Sequence, residues 1–160
     1  MIASESYTVE TFNPDTVAEV CRRNGVCLIK GFFDANEMQR IQDGLVETDQ
    51  RFGSMRPDPL SCPSLNWLLV HPRICDVAKM LLGDDLVYYT NGSINYEAEI
   101  GPLTNTPYTA LHSDAAGNPQ NVHGNAERNT EEPFPAYRFA IYMQDYTNSS
   151  GGVRVAPGSH

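Results

Sequence analysis

Two kinds of hydrophobic spacing occupy separate halves of this sequence. Apolar residues recur at helical spacing up to about residue 84, and runs rich in β-branched and aromatic residues follow. Because the helical patterns precede the strand-like runs, the order predicts an α+β or mainly β fold with N-terminal helices. We expect a single domain over residues 1–160, with a helical part at 1–84 and a sheet at 85–160.

Three helices are predicted in the first half. Asn13 is an N-cap candidate for the first helix, which ends at Gly25. Asp34 caps a second helix over "ANEMQRIQDGLVETDQ", and a third covers "HPRICDVAKMLLG", with Gly83 as its stop. Between the first two helices, "VCLIKGFF" predicts a short strand. Residues 51–64 contain repeated prolines and predict a surface loop.

Charge and hydropathy exclude two classes of partner. The formal net charge is −9 and the 11 Lys and Arg residues do not cluster, so we expect no nucleic-acid binding. No apolar run approaches the roughly 18 residues of a membrane helix, so we expect no membrane partner. The N-terminal "MIASESYTVETF" lacks the basic and apolar regions of a secretory signal, and a cytoplasmic location is expected.

The cysteines and the common catalytic motifs give little support to other chemistries. Cys21, Cys27, Cys62 and Cys75 form no CxxC pair, and we expect reduced, mostly structural thiols. The residues next to these cysteines in the sequence do not indicate an activated, nucleophilic thiol. Activation by a residue that is distant in the sequence but close in the fold stays an open alternative. No GxSxG, GxGxxG or GxxxxGK[ST] motif occurs, so nucleophile-elbow hydrolases and nucleotide-binding folds have no support.

The segment "YTALHSDAAG" at 108–117 contains the residues best suited to chemistry. If 109–114 is extended, His112 and Asp114 project from the same face of the sheet. A nitrogen and an oxygen ligand so placed are two of the three ligands of a 2-His-1-carboxylate iron site. A polar strand end explains the triplet equally simply. Its position between a β-run and a long polar loop favours the metal site.

The segments around this triplet resemble a known family. "HSD", followed by "FAIYMQDYTNSSGGVRVAPGSH" and preceded by "NGVCLIKGFFDANEMQRIQDGL", is similar to the phytanoyl-CoA dioxygenase family of Fe(II)- and 2-oxoglutarate-dependent oxygenases. The resemblance covers about residues 13–160 and implies a double-stranded β-helix (jelly-roll, cupin-like) core. It implies that His112 and Asp114 bind Fe(II) and that 2-oxoglutarate is the co-substrate. Asp114 favours hydroxylation, because related halogenases free that position for halide.

The chain departs from the family pattern at its end. The family places a second histidine on a later strand, followed by a basic residue that pairs with 2-oxoglutarate, and neither has a match here. We therefore expect a C-terminally truncated domain in which 85–160 is the first half of the jelly-roll. His160 is a weaker candidate ligand, because the family's Pro-Gly-Ser-His turn precedes the distal ligand and does not supply it.

Several other polar residues have simpler explanations. His123 is expected to be a solvated loop residue, and His71, ahead of a helix, to have a local capping or surface role. Asn95 and Tyr96 lie where related oxygenases contact the co-substrate, but outward-facing strand residues explain them equally well. Arg138 is expected to form a cross-strand charge pair. The polar insertion 115–135 is long enough to predict a lid or specificity loop.

Taken together, the resemblance implies an enzyme that hydroxylates a small organic substrate with O2 and decarboxylates 2-oxoglutarate to succinate and CO2. Two alternatives remain open: a truncated, non-catalytic fragment, and a metal-free, cupin-like module that binds a small ligand. Half a jelly-roll would leave one face of the sheet and a strand edge uncovered, which predicts either poor solubility or association into a homo-oligomer through that edge.

Overall fold

The structure is a computed structural model that describes residues 4–53, 55–88, 92–94, 136–143 and 155–158. Helices dominate the first part of the chain, as predicted. The helices α1, α2 and α3 span Pro14–Asn24, Ala35–Phe52 and Pro72–Leu82, the strands β1 and β2 span Thr8–Val9 and Leu28–Ile29, and short 3-10 helices span Ser4–Tyr7, Pro59–Ser61 and Asn66–Val70. The predicted order of helix, strand, helix and third helix is confirmed.

Both ends of α1 follow from its sequence. The Asn13 side chain accepts a hydrogen bond from the backbone N–H of Thr16 at 2.9 Å, which satisfies one free donor of the first turn. Gly25 ends the helix with a φ of 72°, and its N–H donates to the Cys21 carbonyl at 2.7 Å. A left-handed residue at this position favours glycine, so the predicted start and stop are both confirmed.

The other two helices are also bounded by the predicted residues. Asp34 and Glu37 form a reciprocal capping box at the start of α2, in which each side chain accepts from the other's backbone N–H at 2.8 Å. Gly83 follows α3, and its N–H donates to the Lys79 carbonyl at 2.8 Å. The predicted loop over 51–64 includes the 3-10 helix Pro59–Ser61, and α2 extends into its first residues as far as Phe52.

The two strands pair in parallel, with Thr8 opposite Leu28 and Val9 opposite Ile29. Because parallel neighbours need a crossover, α1 connects them as a β1–α1–β2 unit. The predicted strand in "VCLIKGFF" is therefore confirmed, although it pairs over only two residues. A further backbone bond, from Lys30 N–H to the Val9 carbonyl at 3.0 Å, continues the contact past β2.

The core of the described residues has two clusters. The first contains Val9, Val17, Val20 and Val77 and lies where α1 packs against α3 and the β1–β2 pair. The second, which we call the α2 cluster, contains Ile41, Cys62 and Leu65. Ile94 and Met143 also pack against the α2 cluster, so the helical half supports residues of the predicted sheet.

The predicted jelly-roll falls mainly on residues outside the described part. Among the described residues after 85, namely 86–88, 92–94, 136–143 and 155–158, none is assigned to a strand. The jelly-roll therefore stays a prediction. Within the described ranges, no helix is both long enough and apolar enough to cross a membrane.

Candidate functional site

The predicted iron ligands His112 and Asp114 lie outside the described residues. The same holds for other residues weighed as candidates: Asn95, Tyr96, His123, His160 and the insertion 115–135. Arg138 is described and exposed. Within the described ranges, no three His, Cys, Asp or Glu side chains are grouped closely enough to hold a metal. Two polar clusters occur among the described residues.

The first polar cluster joins α2 to the start of α3 through the Glu37 carboxylate. His71 Nε2 donates to Glu37 Oε1 at 2.9 Å, and Arg73 donates to Oε2 at 2.5 Å. His71 is 4 % exposed and makes no side-chain capping bond. The predicted capping or surface role of His71 is therefore wrong, because Glu37, distant in sequence, supplies the partner that lets the imidazole be buried.

These contacts keep Glu37 ionised. Burial of the carboxyl disfavours its charge, but hydrogen bonds from His71, the Asp34 N–H and Arg73, together with the Arg73 charge, outweigh burial and lower the pKa of Glu37 to about 2. A carboxylate that stays charged at neutral pH cannot act there as a general acid, and a group so weakly basic is a poor general base. Its role in this cluster is to orient His71 and Arg73.

Aromatic rings enclose the imidazole of His71. The ring centroids of Phe32, Phe33 and Trp67 lie 5.7, 5.3 and 5.7 Å from it. Arg40 covers Trp67, with its guanidinium carbon 4.1 Å from the ring centroid. His71 Nδ1 and Trp67 Nε1 are buried and have no hydrogen-bond partner among the described residues. Apolar side chains therefore surround a histidine that Glu37 holds in place. The arrangement favours a structural role, in which the cluster connects α2 to the start of α3.

Replacing Glu37 by Gln should make the free energy of unfolding vary less with pH in the acidic range. Because the folded pKa of Glu37 lies below its ordinary value of 4.5, its contribution is complete above that value and is lost as the pH falls through about 2. Urea unfolding should show Glu37→Gln to be less stable by about 1–2 kcal/mol near pH 5. The deficit should shrink steadily towards about pH 2.5.

Glu10→Gln is the matched control, because Glu10 pairs with Lys30 at 2.8 Å with both side chains more than half exposed. An exposed pair contributes little, so this variant should stay within about 0.5 kcal/mol of the wild type at both pH values. A Glu37→Gln deficit that is unchanged between the two pH values would contradict the assigned role of the carboxylate.

The second polar cluster, which we call the Asp58 clamp, fastens the start of the predicted sheet to the preceding loop. Asp58 accepts hydrogen bonds from Tyr88 Oη at 3.0 Å, the Gly92 N–H at 3.2 Å and the Leu60 N–H at 2.8 Å. The Ile94 N–H donates to the Pro57 carbonyl at 2.9 Å. One carboxylate thus fixes both flanks of the segment that leads towards the predicted metal-binding strand.

The Asp58 clamp also changes the acidity of Tyr88. Burial, the hydrogen bond to Asp58 and the Asp58 charge all disfavour the phenolate, against a small opposite effect of the Gly92 N–H, and raise the pKa of Tyr88 to about 12. Asp58→Asn keeps a hydrogen-bond acceptor and removes the charge. We expect the pKa of Tyr88 to fall towards the ordinary value of 10 in this variant.

Ultraviolet titration of tyrosinate formation measures this change, and a Tyr88→Phe variant identifies which step of the titration belongs to Tyr88. In the Tyr88→Phe background, Asp58→Asn should leave the titration of the remaining tyrosines unaltered. An Asp58→Asn titration identical to that of the wild type would show that Asp58 does not hold the phenol.

A shallow, open groove of about 430 Å³ runs along α2 beside Ser64. Arg40 lines it together with Asp43 and Glu47, so charges of both signs face the same space. This mixture matches no single class of ligand, and we assign no binding role to the groove.

Sequence reasoning identified the caps of these helices but missed both polar clusters. The capping box of Asp34 and Glu37 can be recognised from neighbouring residues in the sequence. The contact between Glu37 and His71, in contrast, joins residues far apart in the sequence. The "HP" before α3 indicated a helix start, and no spacing rule links it to Glu37. Similarly, the prolines of 51–64 predicted a loop, but they did not predict the contact that Asp58 in this loop makes with Tyr88.

No protein-family model matches the chain, and no curated protein or solved structure was found to be significantly similar to it. A proposal for its function therefore depends on the motifs of the sequence and on the contacts of the described residues.

Proposed function

We propose that this chain belongs to a non-haem Fe(II)- and 2-oxoglutarate-dependent dioxygenase, resembling the phytanoyl-CoA dioxygenase family, that hydroxylates a small organic substrate in the cytoplasm. The observation that carries the proposal is the order of its motifs: a strand and helix, then His112-Ser113-Asp114, then the Gly-rich turn and "PGSH". The confirmed bounds of α1, β2 and α2 support the N-terminal part of this arrangement.

The donor atoms of the proposed site suit ferrous iron. Imidazole nitrogen and carboxylate oxygen are ligands that Fe(II) accepts, and a site with two or three protein ligands leaves positions for a co-substrate and O2. When bound, iron with 2-oxoglutarate supplies the oxidation of a substrate C–H bond, with release of succinate and CO2. His112 and Asp114 would hold the metal from one face of a strand.

The rest of the protein would orient the substrate and exclude water. The α2 cluster and the Asp58 clamp hold Ile94 and Gly92, which precede the proposed ligand strand in the sequence. A rigid support is what such a site needs, since small displacements of catalytic groups lower rates strongly. Insertion 115–135 follows Asp114 directly, and we assign it the role of a cover that selects the substrate.

An anaerobic titration of the complete gene product with Fe(II) and 2-oxoglutarate tests the proposal. We expect a weak metal-to-ligand charge-transfer absorption in the visible range, and release of succinate when O2 is admitted. His112→Ala and Asp114→Ala should each weaken Fe(II) binding by at least about 100-fold and abolish the absorption.

Ser113→Ala is the matched control, because alternation along the predicted strand would place Ser113 on the face opposite His112 and Asp114. This variant should bind Fe(II) like the wild type. If 2-oxoglutarate and Fe(II) produce no absorption in the complete gene product, or if the two alanine variants bind iron normally, the oxygenase proposal fails. A small-ligand binding module or a non-catalytic fragment would then explain the sequence better.

A further inference from the structure

Two buried polar atoms of the first polar cluster have no hydrogen-bond partner among the described residues, namely Nδ1 of His71 and Nε1 of Trp67. The side chain of His71 is only 5 % exposed, and the Trp67 nitrogen is also shielded from solvent. Buried polar atoms are almost always hydrogen-bonded in folded proteins, because an unpaired one loses its bonds to water without replacement. These two atoms therefore indicate one more contact in this cluster.

The contact with Glu37 determines which nitrogen of a neutral His71 carries the proton. A neutral imidazole has one N–H group that donates and one bare nitrogen that accepts. The Glu37 carboxylate, whose pKa is lowered to about 2, is ionised at neutral pH and can only accept a hydrogen bond. Nε2 of His71 lies 2.9 Å from Glu37 Oε1 and is therefore the donor. In the neutral imidazole, Nδ1 is then a buried acceptor.

Trp67 carries the complementary group, because an indole N–H can only donate. The ring centroids of Trp67 and His71 lie 5.7 Å apart, with 55° between the ring planes. Phe32 and Phe33, the other rings beside the imidazole, have no hydrogen-bonding side-chain atoms. Arg40 covers the indole at 4.1 Å and restrains its position. One buried donor and one buried acceptor therefore lie on neighbouring rings in an otherwise apolar enclosure.

The separation of the two rings is compatible with a bridge made by one small molecule. A direct hydrogen bond would bring the two nitrogens to about 3 Å from each other, and they form none. Two hydrogen bonds of about 2.9 Å that meet at one oxygen join nitrogens about 4.7 Å apart, a distance that rings 5.7 Å apart can provide. Water is the smallest molecule that accepts one bond and donates the other, and internal waters make about two to four hydrogen bonds.

We propose that one buried water molecule bridges the two rings, accepting a hydrogen bond from the Trp67 indole N–H and donating one to Nδ1 of a neutral His71. This inference does not depend on the proposed oxygenase activity. The water would complete a hydrogen-bonded series that runs from Trp67 through His71 and Glu37 to Arg73. It would link the 3-10 helix Asn66–Val70 to α2 and α3, and it would hold the imidazole in the tautomer that donates to Glu37.

Nuclear magnetic resonance of the full wild-type chain tests both the water and the tautomer. The chain has a single tryptophan, so its indole N–H gives one proton signal that needs no further assignment. We expect cross-relaxation between this proton and water with the sign of a long-lived bound water, recorded in the laboratory and rotating frames to separate it from hydrogen exchange. At pH 8, long-range proton–nitrogen correlations should show His71 protonated on Nε2 and bare on Nδ1. His71→Gln identifies the His71 signals by their loss.

Oxygen-17 relaxation dispersion counts the long-lived internal waters of the same chain. Trp67→Phe keeps an aromatic ring and removes the indole donor, so we expect the count to fall by the equivalent of one water. Tyr88→Phe is the matched control, because it also removes one aromatic hydrogen-bond donor, but that donor binds Asp58 directly. The control should keep the wild-type count.

The wild-type spectra decide between the outcomes even if a variant folds poorly. Scalar coupling across a direct N–H···N bond between Trp67 and His71 would show that no water lies between them. A proton on Nδ1 of His71, with or without one on Nε2, would remove the acceptor that the bridge needs. An indole N–H without cross-relaxation to water, or an unchanged count of long-lived waters in folded Trp67→Phe, would overturn the proposal as well.

Discussion

Replacing Leu65 by alanine is expected to lower the free energy of unfolding by about 3 kcal/mol, the largest effect of any single change considered for stability. Leu65 is 2 % exposed and packs with Ile41 and Cys62 in the α2 cluster. Truncation removes apolar surface from the core and leaves a cavity that the helix and the loop cannot fully close. Urea unfolding curves analysed with a common slope measure the loss.

Leu60→Ala is the matched control for this substitution. Leu60 lies in the same loop region, but it is 58 % exposed, so its truncation should change stability by no more than about 0.5 kcal/mol. Equal effects of the two substitutions would mean that the α2 cluster is not a core. Such a result would also weaken the case that this cluster supports Ile94 and Met143.

Gly44→Ala should destabilise the chain by about 1–2 kcal/mol, although alanine is the better helix former by about 1 kcal/mol. A Cβ on Gly44 would lie 2.6 Å from one Leu65 methyl carbon, 2.9 Å from its Cγ and 3.3 Å from the Ser64 carbonyl oxygen. Leu65 is buried and has little room to move, so overpacking outweighs the gain in helix propensity. Thermal and urea unfolding of the variant test the sign of the change.

The two substitutions should compensate each other when combined. Leu65→Ala removes the atoms that a Cβ on Gly44 would strike, so the double variant should be more stable than the sum of the single effects predicts, by about 1–2 kcal/mol. A double-mutant cycle gives this coupling directly. Additive effects would show that Gly44 and Leu65 are not in contact, and a stabilising Gly44→Ala would show that α2 stands farther from the loop.

The parts of the fold that local chemistry determines could be predicted from the sequence. Asn13 and Asp34 start helices, and Gly25 and Gly83 end them, because each satisfies backbone groups within a few residues of itself. The predicted helices therefore match the structure closely at their ends. The strand in "VCLIKGFF" was also found, but its partner Thr8–Val9 was not, since two residues carry no periodicity.

The contacts that sequence reasoning missed all join distant segments. His71 is buried with its imidazole hydrogen-bonded to Glu37, and the Tyr88 hydroxyl donates to Asp58 from a later segment of the chain. A helix-capping pattern fixes where Glu37 lies along α2, but it does not say what approaches it from α3. The iron ligands His112 and Asp114 stay a prediction that depends on motif order, since both lie outside the described residues.

The bond between the Gly158 N–H and the Asn24 carbonyl joins residues separated by nearly the whole chain, which bears on the order of events during synthesis. All residues of the first helix and its glycine stop have been made once residue 25 is added, whereas the hydrogen bond to this carbonyl cannot form until residue 158 is made. At about 5–20 residues per second, that delay lasts several seconds or more. The three helices therefore have time to pack together before Gly158 is made. The hydrogen bond between Gly158 and Asn24 can form only after the residues between them have been translated.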